Sequence, residues 1–153
     1  MAFTLQSSAF EPGAEIPRIY AGLGEDRSPP LRWSAAPPET KTLALIMRDP
    51  DAPTGDFTHW VVFNMPAART ELPEDTPHRG DLSDGTVQGS NDFGREGYGG
   101  PKPPPGKPHR YRFDLYALDA AIMLKAGAGR EALERAMHGH VLARTELTGG
   151  FGV

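Results

Sequence analysis

Two apolar runs, TLALIMR at residues 42–48 and HWVVFNM at 59–65, flank the turn-rich connection DPDAPTGDFT. Neither run alternates polar with apolar residues, so each reads as a strand buried on both faces, and the two read as a hairpin. A third segment, HRYRFDLYALD at 109–119, has the clearest period of two in the chain. His109, Tyr111, Phe113, Leu115 and Ala117 share one face, and Arg110, Arg112, Asp114 and Tyr116 share the other. That parity places His109 and Tyr111 on the face that continues into the core. HVLARTEL at 140–147 is expected as a final strand, with Val141, Ala143, Thr145 and Leu147 alternating against His140, Arg144 and Glu146. A short strand is expected near TVQGS, residues 86–90. GREALERAM, 129–137, carries Ala132, Leu133, Ala136 and Met137 at helical spacing, and DAAIMLKAG just before it is a second, weaker helical segment.

Glycine (18) and proline (16) are abundant in the 153 residues, but they punctuate strongly apolar segments instead of forming tracts. A single, compact, loop-rich and mainly β domain over 1–153 is expected, long enough to fold without staples. There are no cysteines, which excludes thiol catalysis and every cysteine-based metal site. The N-terminus has neither a basic segment nor a signal-length apolar run, and no segment approaches the ~20 apolar residues of a membrane span, so a cytoplasmic protein is expected. A net charge of −4, from 16 basic and 20 acidic residues, argues against a nucleic-acid binder driven by phosphate-backbone attraction.

A hairpin connection needs turn formers, but it does not need Asp49 and Asp51 at the mouth of one strand and His59 at the root of the next. Strands in a sheet lie only about 5 Å apart, so neighbouring strands ending at one edge would gather Asp49, Asp51, His59 and His109. The two aspartates share side-chain parity if the strand persists that far. Pro50 and Pro53 fix the backbone beside them, and the glycines of GYGGP, 97–101, let a ligand approach the main chain. The eighteen-residue stretch NDFGREGYGGPKPPPGKP, 91–108, is too long for a plain hairpin loop, and Phe93 and Tyr98 favour an ordered one. Three chemistries suit such a cluster: aspartate-oriented imidazolium groups facing an oxyanion, ligation of a divalent metal, or general acid–base hydrolysis. Each residue also has a plainer reading. Aspartate before proline commonly starts a turn, His59 fits a core histidine, and the proline-rich run fits a stiff surface loop that could dock a partner. No nucleophile elbow, P-loop or zincin pattern is present.

Taken together, DPDAPTGDFTHWVVFNMPA and NDFGREGYGGPKPPPGKPHRYRFDLYALD resemble the phosphatidylethanolamine-binding protein family, whose bacterial members are called Raf kinase inhibitor-like proteins. SPPLRWSAAPPETKTLAL and HVLARTEL resemble it too, so the likeness covers nearly the whole chain. The resemblance implies a large antiparallel sheet packed on a smaller sheet, with short peripheral helices and a small anion pocket at one edge. Carried over, the ligand-binding residues are Asp49, Asp51, Pro53, His59, Gly100, Pro103, Pro104, His109 and Tyr111. Phe57 stands where animal members have tryptophan, and the C-terminal helix that borders their pocket has no counterpart after TGGFGV.

The leading expectation is therefore a non-catalytic binding protein, without cofactor or metal, for a small anion such as phosphate or phosphoethanolamine. A kinase or protease is the expected protein partner of a regulator of this type, and the bacterial members add a homodimer as the expected assembly. A metal-dependent hydrolase using Asp49, Asp51, His59 and His109 is the alternative. If both imidazoles carry the charge, nearby aspartates should raise their pKa values, and anion affinity should weaken as pH rises.

Overall fold

A computed structural model of the chain describes residues 2–153. The elements are β1 (Thr4–Gln6), β2 (Leu31–Ser34), β3 (Thr42–Asp49), β4 (Phe57–Pro66), β5 (Glu71–Leu72), β6 (Val87–Gln88), β7 (His109–Leu118), α1 (Arg130–Met137) and β8 (Val141–Phe151). A single 3-10 turn, Arg18–Tyr20, follows β1. The strands form a five-stranded antiparallel sheet in the order β6-β4-β3-β7-β8 and a three-stranded one in the order β1-β2-β5.

The uninterrupted apolar runs of β3 and β4 follow from cover on both faces of the large sheet. Leu43, Leu45 and Met47 join Trp60, Val62, Tyr111, Phe113 and Leu115 in a core shared with Leu5 and Trp33 of the small sheet. Ala44 and Ile46 point the other way, with Val61 and Phe63, onto Ile122 and the helical residues Leu133 and Met137. At only eight residues and without a side-chain N-cap, α1 is too short to persist alone. Burial of Leu133 and Met137, worth about 1.5–3 kcal/mol each, is what holds it.

The structure departs from the sequence reading at three places. Residues 119–127 are not helical. The Asn64 side chain donates to the Ile122 carbonyl at 2.9 Å and accepts from the Ile122 amide at 2.7 Å, replacing the bonds a helix would make there. Ile122 is thereby buried while Met123 stays exposed. The last strand runs to Phe151 instead of Leu147, because the ladder with β7 continues through Gly149 and Gly150 to the His109–Phe151 pair. The strand near TVQGS shrinks to Val87–Gln88.

Candidate functional site

The register of the large sheet delivers the site. Asp49 closes β3 and lies opposite Phe57, the first residue of β4; His59 follows two residues on. β7 pairs with the other side of β3 and begins at His109. Three strand ends therefore converge, and the 91–108 segment folds over them. Its placement comes from hydrogen bonds to the sheet and to the Arg18–Tyr20 turn. The Asp92 amide donates to the Thr58 carbonyl, the Gly99 amide to the His59 carbonyl, and the Tyr98 hydroxyl to the Tyr20 carbonyl at 2.6 Å. The result is a cavity of about 220 Å³ lined by Asp49, Ala52, Pro53, Thr54, Phe57, His59, Phe93, Lys102, Pro103, Pro104, His109 and Tyr111.

Asp49, His59 and His109 each have a defined partner in it. Asp49 is buried; its Oδ1 accepts from the Asp51 amide at 2.8 Å and its Oδ2 from His109 Nδ1 at 2.7 Å. His59 Nδ1 donates to the Gly99 carbonyl at 2.7 Å. With both Nδ1 atoms committed, Nε2 is the ring nitrogen left to each histidine for a ligand. His59 is packed edge-on against Phe93 and Tyr111, with ring centroids 5.4 and 5.2 Å away, and lies 4.9 Å from Phe57. That burial pushes its pKa below the ordinary imidazole value, against the opposing pull of the Gly99 carbonyl and Asp49. The expectation that aspartates would raise it is overturned for His59, because desolvation outweighs two carboxylates that do not touch the ring. The Tyr111 hydroxyl is buried with no hydrogen-bond partner, and burial, then Asp49, pushes its pKa up.

A family model described as phosphatidylethanolamine-binding protein matches residues 6–152. The chain belongs to the phosphatidylethanolamine-binding protein family. A UPF0098 protein of Methanothermobacter thermautotrophicus is 51% identical over 145 residues, covering 95% of each chain. Among solved structures, the phosphatidylethanolamine-binding protein homologue CT736 of Chlamydia trachomatis matches with a TM-score of 0.91 at 39% identity, over 99% of this chain and 98% of its own. YbcL of Escherichia coli, described as a new member of the mammalian family, matches at 0.92 and 34% identity with the same coverage. This family member is thus of the bacterial YbcL type, with the two-sheet fold that the resemblance implied.

Within this family member, Asp49, Pro53, His59, Pro103, Pro104, His109 and Tyr111 come together around one cavity. Asp51 and Gly100 do not line it. The strand ends at Asp49 and Asp51 sits in a turn, so shared parity no longer applies. The Asp51 carboxylate instead takes the Arg110 amide and Nε at 2.9 Å and a third bond from Arg110 at 2.8 Å, and those bonds hold its pKa far below the usual carboxylate range. Gly100 serves close packing. Its amide donates to Asp26 at 2.7 Å, and a Cβ there would come within 2.3 Å of the Tyr20 carbonyl oxygen. The metal reading loses its ligand set with Asp51, and among the described residues no three of His, Cys, Asp and Glu stand close enough to hold an ion. Among the described residues no helix is long and apolar enough to cross a membrane.

Sequence reasoning missed Phe93 and Lys102 as lining residues, and Phe57 entered only as a departure from the animal pattern. A lysine set between Pro101 and Pro103 was the available signal for a cation held at a rigid rim. Gly99 is a further hidden determinant, since a Cβ there would stand 2.5 Å from the Phe93 ring. Phe93 is more than one-third exposed and can swing outward. Gly99→Ala is therefore expected to leave the fold within about 1 kcal/mol of wild type but to displace Phe93 from the cavity wall. Loss of ring-current shifts on His59 and Phe57 in aromatic NMR spectra would show it; an unchanged spectrum would contradict it.

Proposed function

We propose that this chain is a non-catalytic binding protein whose cavity takes a small phosphate-bearing anion. The observation that carries the reading is the Asp49–His109 pair: a buried carboxylate holding Nδ1 leaves Nε2 as the donor of a charge-assisted hydrogen bond when the ring is protonated. Lys102 adds a second cation at the rim, and the Pro101–Pro105 run limits how far that rim can yield. The volume suits a head group and is below the ~300–1,000 Å³ typical of drug-sized ligands. A His–Asp pair also suits a general base. The lining, however, offers only Thr54 as an alcohol nucleophile, on the exposed rim, and Asp49 already accepts two hydrogen bonds.

Titration with inorganic phosphate and with phosphoethanolamine, followed by NMR, is expected to move the ring resonances of His59, His109 and Tyr111 in a saturable way. The phosphoethanolamine should be recovered intact. Shifts confined to residues outside the cavity, or release of phosphate during the titration, would overturn the reading.

A further inference from the structure

The two histidines offer a ligand opposite things, and this sharpens the anion-site reading on which it rests. His109 is backed by the Asp49 carboxylate, so a positive charge on its ring is balanced at 2.7 Å. His59 is backed by main chain instead, with the Gly99 carbonyl at 2.7 Å and Gly100 next to it. The carboxylates nearest to it are engaged elsewhere: Asp49 with His109 and the Asp51 amide, Asp92 with the Thr58 amide at 2.7 Å. Phe57 from β4, Phe93 from the covering segment and Tyr111 from β7 surround the ring, which is 3% exposed. The only other charged groups at the cavity are His109 and Lys102. A carbonyl can only accept, so Nδ1 carries the hydrogen and, in the neutral ring that burial favours, Nε2 is a bare lone pair. The ring of Tyr111 meets the His59 ring edge-on at 5.2 Å, and its buried hydroxyl also has no partner. An acceptor and an unused hydroxyl in one aromatic niche call for a ligand that brings its own hydrogen.

We infer that the cavity selects phosphomonoester monoanions, whose P–OH donates to His59 Nε2 while a ligand oxygen accepts from Tyr111 and the anionic oxygens face His109 and Lys102. Phosphodiesters carry no P–OH and leave the His59 lone pair facing a ligand oxygen. Intact phospholipid head groups are therefore disfavoured relative to their free phosphate esters.

Four ligands separate the contributions: phosphoethanolamine has both P–OH and ammonium, methyl phosphate only the P–OH, glycerophosphoethanolamine only the ammonium, and dimethyl phosphate neither. At about pH 5.5, below the second phosphate pKa of about 6, the two monoesters are expected to bind at least about tenfold more tightly than the two diesters. Raising the pH to about 8 should shrink that ratio, because the monoester loses its last proton. Taking the ratio to dimethyl phosphate at each pH removes any pH effect that the ligands share. His59→Phe keeps an aromatic ring in the niche and should collapse the discrimination, while the His109→Ala variant should weaken both classes alike. Equal binding of glycerophosphoethanolamine and phosphoethanolamine, or a ratio that grows with pH, would overturn the inference while leaving an anion site standing. Failure of all four ligands to shift cavity resonances would overturn the anion site itself.

Discussion

Replacing both His59 and His109 with alanine is expected to abolish binding of phosphate and phosphoethanolamine. A hydrogen bond to a charged ligand is worth about 1.5–3 kcal/mol, so losing two removes at least about 3 kcal/mol, on the order of a hundredfold or more in Kd. The paired loss exceeds what the rim prolines or Lys102 can supply, since the prolines act through shape alone and Lys102 is exposed and acts through screened charge. Removing the buried His59 ring also takes away the contact surface of Phe57, Phe93 and Tyr111. The His109→Ala variant controls for this, because, of those three rings, its own stacks only on Tyr111. Calorimetry on both variants, with thermal melts alongside, separates lost affinity from lost structure. Unchanged affinity in a folded double variant would remove the cavity from ligand binding altogether.

The largest effect on stability is expected from Asp114→Ala, which empties the centre of a charge cluster on the outer face of the large sheet. Asp114 is 1% exposed although it lies on the face of β7 that carries Arg110, Arg112 and Tyr116. Arg48 Nε donates to it at 3.1 Å and Arg144 at 2.8 Å, with Arg112 at 3.5 Å. Removing the carboxylate leaves three guanidinium groups facing one another. The cost of breaking a buried pair is about 3–5 kcal/mol, discounted here to roughly 2–4 because Arg48 retains Asp56 and the other two retain Glu146. At about 2–4 °C per kcal/mol for a chain of this size, the melting temperature should fall by roughly 5–15 °C. The same substitution reaches the cavity. Arg48 and Arg130 both hold Asp56, at 3.0 and 2.9 Å, and Asp56 lies between the wall residues Thr54 and Phe57. Thermal melts of Asp114→Ala against Asp56→Asn test the assignment; a melting temperature within about 2 °C of wild type for Asp114→Ala would show the cluster to be solvated surface charge.

What could be read from the chain, and what could not, divides along the range of the interactions. Strands β3, β4 and β7 and helix α1 were legible because each announces its burial in its own residues: Ile46 and Leu45 point to opposite faces and both are apolar, while Tyr111, Phe113 and Leu115 recur at every second position. The small sheet was invisible to periodicity. Its strands are two to four residues long and exist because Leu5 meets Trp33 and Leu31 meets Leu72 across the sequence. Residues 119–127 carry helix-compatible side chains, yet a single distant asparagine, Asn64, takes both main-chain groups of Ile122 and the segment stays irregular. At the site, residue types alone nominated Asp49, His59, His109 and Tyr111, because aspartate and histidine at strand mouths are costly unless they have partners. Which aspartate lines the cavity, and which histidine is most desolvated, was settled only by tertiary contacts. Asp51 turned to Arg110 once the strand stopped at Asp49, and His59 lost its charge preference when Phe93 closed over it. Local sequence sets which groups a strand end presents, whereas hydrogen-bond partners and desolvation come from segments far along the chain, and those two decide where a group at the cavity is held and what surrounds it.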